Sequence, residues 1–207
     1  MKSLRPTLVL YALPALLAAA FPRIHGVLLY ERGQILGGEL WRLWTGHWVH
    51  FSPSHLLWNL VVLVLAGSVL EEARPGLLLR YTLLAAPLSS AAFLVIAPAM
   101  KTYGGLSGLA TGAVTLLALV KLNDGDPNRA CWIAVLALVA GKFAVDATRA
   151  TPLLSSFSGV GIQVSALAHF AGAVLAVVFF LSHRKGSCFP FSGSHPVSLD
   201  TPGQLPR

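Results

Sequence analysis

The sequence predicts an all-α fold, a polytopic membrane bundle of six transmembrane helices, on two observations: its composition and the spacing of its apolar runs. Hydrophobic residues make up 55% and charged residues 11% of the 207 residues, with a mean hydropathy of +0.70. In an ordinary soluble domain about a quarter of the residues are charged. A helix crosses the bilayer core with roughly 20 residues, and a chain of this length holds about six such segments joined by short loops. Residues 1–182 read as one membrane domain and 183–207 as a polar tail.

The first apolar segment runs from Thr7 to Phe21 and contains Pro14. Lys2 and Arg5 before it resemble a signal-peptide n-region, but with no small-residue cleavage site and soluble domain after it, the segment reads as an uncleaved first helix. A long amphipathic connection from Pro22 to Ser54 follows, carrying Trp41, Arg42, Trp44, His47, Trp48 and His50. Mixed aromatic and basic residues suit the membrane-water interface. Five further runs cover His55 to Leu70, Leu77 to Met100, Leu106 to Val120, Ala130 to Val145 and Val164 to Leu181. The breaks carry turn chemistry, at Arg74-Pro75-Gly76, Lys101 to Gly104 and Asn123-Asp124-Gly125-Asp126-Pro127. After His183 the chain turns Ser-, Gly- and Pro-rich without an apolar period, which predicts a disordered tail.

Charge and cysteine content narrow the function. The net charge of +7 comes from basic residues scattered singly between apolar runs, which favours a topology signal over nucleic-acid binding. With the N-terminus cytoplasmic, Lys2, Arg5, Arg74, Arg80, Lys121, Arg129, Arg184, Lys185 and Arg207 fall inside. Arg23, Arg32, Arg42, Lys101, Lys142 and Arg149 then fall outside, mostly in the two long loops. Cys131 in an apolar run and Cys188 in the tail predict no structural disulfide, and Cys188 reads as an unmodified tail thiol.

Two apolar segments each carry a catalytic-type residue: Ser107 in Tyr103-Gly104-Gly105-Leu106-Ser107-Gly108 and His169 in Ala168-His169-Phe170-Ala171-Gly172. A hydroxyl and an imidazole in an apolar medium each need a partner, and each fits the other. The glycines before Ser107 permit left-handed backbone and close approach, and its place at a helix N-terminus offers N–H groups for an oxyanion. Gly108, Gly112 and Gly172 also fit plain helix packing, and a lone membrane histidine fits an interhelical hydrogen bond. His55 and Asn59, four apart on one helix face, are either further oxyanion donors or interhelical hydrogen-bond formers. Glu31, Glu39, Glu71, Glu72, Asp124, Asp126 and Asp200 are placed in loops or the tail, so a Ser–His dyad fits better than a triad. Asp146 follows Lys142 by four residues, the spacing of an intrahelical ion pair. His47, His50 and His55 have no cysteine or carboxylate at ligand spacing, so neither a metal nor another cofactor is expected.

These residues resemble the rhomboid family of intramembrane serine proteases. The matches are Trp41-Arg42, His50, His55-Leu56-Leu57-Trp58-Asn59, Gly105-Leu106-Ser107-Gly108 and Ala168-His169-Phe170-Ala171-Gly172, in the family's order and on its second, fourth and sixth helices. The resemblance implies Ser107 as nucleophile and His169 as general base. It implies His55, Asn59 and the Ser107 N–H as oxyanion donors, with Gly105 and Leu106 supporting the loop and Trp41 and Arg42 shaping an interfacial loop. Ala176 stands where the family often has a second glycine, and Thr111 where many members place an aromatic beside the histidine.

Within the family, the compact core and the 103–112 and 164–172 segments look like the rhombosortase branch. That likeness implies substrates among exported, membrane-anchored proteins ending in a Gly-Gly-containing tail, a hydrophobic helix and a basic terminus. The expected location is a bacterial inner membrane, and the Lys and Arg distribution puts Ser107 at the outer end of its helix and His169 in the outer half of the last one, facing the periplasm or exterior. A general rhomboid protease with other transmembrane substrates, or a catalytically inactive rhomboid-like protein that binds clients, are the alternatives. A transporter fits less well, since the sequence lacks inverted repeats and paired broken helices.

Overall fold

In the computed structural model, residues 5–148 and 166–184 are described. Six long helices lie in these residues: α1 (Arg5–Ala20), α2 (Pro53–Ala73), α3 (Leu77–Ile96), α4 (Ser107–Asn123), α5 (Arg129–Thr148) and α6 (Ala166–Arg184). The last helix runs through His183 and Arg184, two residues into the region read as tail. The remainder of the expected tail, with Cys188, lies outside the described residues.

Each helix end has a local cause. In α1 the turn Leu8–Ala12 is widened to a π-helix just before Pro14, which has no N–H to donate and whose ring crowds the carbonyl four residues back. The chain then bends by 108° into Pro22–Leu28. Ser52 caps α2, its hydroxyl accepting the His55 N–H at 3.2 Å, with Pro53 at the first helical position. Helix α2 outruns its apolar stretch, so Glu71 and Glu72 lie in the helix and not in a loop, contrary to the sequence reading. The buried Glu71 carboxylate accepts the N–H groups of Gly76 (2.6 Å) and Leu78 (2.9 Å). It satisfies the orphan donors that open α3, which is why a charge is tolerated there. Gly76 makes the turn at φ +78°.

Three helices, α2, α3 and Ala166–His183 of α6, are long and apolar enough on their own to cross a bilayer, and the bent Arg5–Leu28 pair is a fourth if counted as one span. Among the described residues, length and composition alone thus identify three or four spans. Helix α4 has only 17 residues, because the segment before Ser107 is spent on a loop, and α5 carries Arg129, Lys142 and Asp146 within 20 residues. Large side chains such as Leu65, Val95 and Leu138 point outward, as lipid-facing positions do.

Helix α4 is the centre of the bundle, packed against α2, α5 and α6. Leu63, Leu70, Leu78, Tyr81, Leu109 and Leu116 form its surrounding core. Buried tyrosine hydroxyls find carbonyls on neighbouring segments: Tyr11 donates to Thr82 O at 2.7 Å and Tyr81 to Gly172 O at 2.8 Å. Cys131 is a free, exposed thiol on α5.

The connection from Pro22 to Ser52 folds as short helical turns and one strand, β1 (Tyr30–Glu31). It pairs antiparallel with β2 (Thr102–Tyr103), Tyr30 opposite Tyr103. Arg42 closes this connection from within. It is buried and donates to the carbonyls of Gly26 (2.8 Å) and Leu29 (2.7 Å) while its Nε meets Glu39 at 2.6 Å. Trp41 Nε1 adds a bond to Val27 O at 3.2 Å. Both residues thus shape the loop, as the resemblance implied.

Candidate active site

The segment ahead of Ser107 is held by glycines because nothing larger fits. Gly105 sits at φ +121°, where side chains are strained, and a Cβ there would lie 2.6 Å from His55 Cε1 and 2.9 Å from His55 Nε2. A Cβ on Gly104 would lie 2.9 Å from the Val49 carbonyl oxygen. The loop therefore passes directly over the first turn of α2, and Ser107 follows as the first residue of α4.

Polar groups from three segments fix this loop. The Gly105 N–H donates to Gly46 O at 3.3 Å. Its carbonyl accepts the Tyr103 hydroxyl at 2.8 Å and lies 3.3 Å from His47 Nδ1. His47 Nε2 lies 3.1 Å from Ser90 Oγ and 3.0 Å from Ala86 O. A neutral ring has one N–H, so it donates to one of the two carbonyls, Gly105 O through Nδ1 or Ala86 O through Nε2, according to its tautomer. The Leu106 N–H donates to His50 Nε2 at 3.3 Å, so Leu106 anchors the loop and its N–H is committed. The ring nitrogens of His47 and His50 thus serve backbone groups.

The sequence reading missed this role for His47 and Tyr103. The signal available to it was their place: one in the loop before α2, the other in the turn before Ser107. Burial holds the His47 imidazole below its usual range. Burial also pushes His50 down to about 3, with the neighbouring His55 adding to the effect. The Tyr103 phenol is pushed up by burial, opposed by its interaction with the Ser107 hydroxyl.

His55 and Asn59 come to the same place. The two rings of His50 and His55 meet edge to face with centroids 4.9 Å apart. Asn59 is buried, and its Nδ2, 3.6 Å from where a Gly105 Cβ would stand, has no hydrogen-bond partner among the described residues. Buried amide donors are rarely left so.

His169 reaches the site through a close helix crossing. A Cβ on Gly108 would lie 2.7 Å from Ala168 O, and one on Gly172 would run into the Gly108 carbonyl oxygen. Backbones of α4 and α6 touch there, so Ser107 and His169, each next in sequence to a contact residue, stand at one crossing. His169 is buried and interacts electrostatically with His55. Its Nδ1 lies 3.2 Å from Lys142 Nζ on α5. The Asp146 side chain, the expected ion-pair partner of Lys142, lies outside the described residues. Thr111 donates to Ser107 O within its own helix, at 2.8 Å, in place of an aromatic contact, and Ala176 is fully buried.

The buried histidines give a pH dependence with a definite sign. The unfolded chain takes up protons near the ordinary histidine value of about 6.5, while the folded His50 resists until about 3. Acid therefore favours unfolding: stability is level above about pH 6.5 and falls as pH drops toward 3. Thermal unfolding in detergent between pH 7 and pH 4 should show this decline, reduced in His50→Gln; a level profile in both would contradict it.

A family model for the Rhomboid domain matches residues 37–185, well over half of the chain. No curated protein matches. The matched span begins ahead of Arg42 and takes in every residue of the Gly105–Ser107 loop, the α2 face and the α4–α6 crossing. Rhomboid proteins are generally intramembrane serine proteases, and this membrane chain belongs to the rhomboid family.

Proposed function

We propose that this chain is an intramembrane serine endopeptidase working by a Ser107–His169 dyad. His169 takes the Ser107 hydroxyl proton, Ser107 Oγ attacks the substrate carbonyl, and the imidazolium returns the proton to the leaving amine. The Ser107 N–H at the start of α4, His55 and Asn59 hold the oxyanion. Water then resolves the acyl-enzyme. The observation that carries this reading is the buried Asn59 Nδ2 beside Gly105, without a partner among the described residues. A donor that costs free energy at rest is repaid only when charge develops next to it.

The substrates are membrane-anchored exported proteins with a C-terminal transmembrane segment, of the Gly-Gly type that rhombosortases are thought to process. The chain crosses a bacterial inner membrane six times, with the loop side of Ser107 facing the periplasm or exterior. A helical peptide bond is shielded by its own hydrogen bonds, so the substrate must unwind at the cut. Glycine, about 1 kcal/mol worse than alanine in a helix interior, lowers that cost and removes bulk beside Ser107.

Release of such a client, reconstituted in liposomes, tests the proposal. Asn59→Ala is expected to slow release about 100- to 1,000-fold, the usual loss of one oxyanion donor. Replacing both client glycines by leucine is expected to block release, whereas apolar exchanges further down the client helix are not. Full-rate release by Asn59→Ala would assign Asn59 to packing. Indifference to the client glycines would leave a rhomboid protease of other specificity.

A further inference from the structure

We infer that Lys142 is a positioning residue for His169: its Nζ, 3.2 Å from Nδ1, decides which ring nitrogen carries the proton. The inference rests on the dyad proposed above, and concerns a residue outside it. A neutral imidazole has one N–H and one lone pair, and the partner at one nitrogen fixes the state of the other. Lys142 supplies that partner from α5.

The contact has two forms, one proton apart. As an ammonium, Lys142 has three donors and no acceptor, so it donates to Nδ1 and the ring proton must sit on Nε2. Nε2 then has no lone pair for the Ser107 proton. The ammonium also stands beside a ring that must itself become positive when it takes that proton, and like charges this close oppose one another. As an amine, Lys142 accepts the Nδ1–H, Nε2 is left with its lone pair, and the arrangement is the one a carboxylate provides in a triad. The Ser107 proton then passes to Nε2, and the Nδ1 proton stays in its bond to the amine nitrogen. Lys142 is in this way a lock on the base when charged and a brace when neutral.

Among the described residues, the groups on the neighbouring helices can be named. Of the helices packed on α6, α3 brings Tyr81, whose hydroxyl is spent on Gly172 O. From α4 comes Ser107, while Lys121 lies at the far end of that helix. The first turn of α2 brings His55. On α5, Asp146 follows Lys142 by one turn, and on α6 His183 is near the opposite end.

The test reads chemistry at Ser107 without a client: the rate at which the purified full chain is labelled by a fluorophosphonate at pH 7. Ser107→Ala sets the background. Lys142→Met, which cannot lock Nδ1, is expected to be labelled at least about tenfold faster than wild type. Lys142→Arg keeps a charged donor facing Nδ1 and is expected to be as slow as wild type. If Lys142→Met is no faster than wild type, or Lys142→Arg is as fast as Lys142→Met, Lys142 is only structural and the inference falls. Absence of any labelling above the Ser107→Ala background would instead overturn the dyad, and the lock with it.

Discussion

Ser107→Ala and His169→Ala are each expected to abolish client cleavage, with a loss on the order of 10⁶ in rate, while leaving the protein folded and inserted. Nucleophile and base act as one unit, so removing either costs nearly as much as removing both. The double variant should therefore be no worse than either single one. Neither change threatens the fold: Ser107 opens a helix whose backbone bonds do not depend on its side chain, and His169→Ala removes a ring from a crossing built on Gly108, Ala168 and Gly172. Cleavage of a reconstituted client, with thermal unfolding measured on the same preparations, separates the two effects. Normal cleavage by purified Ser107→Ala would rule the dyad out. An unfolded His169→Ala would shift the burden of proof to Ser107 and to His169→Gln.

The site was legible in the sequence where a residue's type was costly for its surroundings. Ser107, His169, His55 and Asn59 are polar groups in apolar runs, and glycines crowd around the first of them, so the cost of leaving such groups without partners pointed to a meeting place. Residues in the interfacial connection were harder to read, because polar side chains there cost nothing and carry no such signal. His47, which shares the Gly105 carbonyl with Tyr103, looks in sequence like any interfacial histidine. The acids misled for a related reason. Glu71 marks the end of an apolar run yet continues the helix, since its carboxylate is paid back by the N–H groups that open α3. Lys142 was read against Asp146, its neighbour along the helix. Its contact with His169 joins α5 to α6 across 27 residues of sequence, and no local pattern encodes such a pairing.

Gly172→Ala is expected to be as damaging to activity as the loss of a catalytic group, although it touches no reacting atom. The added methyl would run into the Gly108 carbonyl oxygen and its carbon, and both neighbours are backbone, which has no rotamer to yield. Helices α4 and α6 must then separate, and in a membrane their association rests on this close packing. Overpacking a tight core costs about 1–3 kcal/mol, and a backbone collision at the crossing belongs at the top of that range. Separation also moves Ser107, next to Gly108, away from His169, and a displacement of about 1 Å is enough for a 100-fold loss in rate. Gly112→Ala meets the Tyr81 hydroxyl, a side-chain end, as well as Gly172 O at 2.7 Å, and should be milder because Tyr81 can turn aside. Gly141, with nothing within 4 Å of its would-be Cβ, is the control: Gly141→Ala should be neutral or up to about 1 kcal/mol stabilising. Thermal unfolding and client cleavage of the three variants are expected to rank Gly172 worst and Gly141 harmless, and a Gly172→Ala protein with wild-type stability and rate would show that the two helices do not depend on this contact.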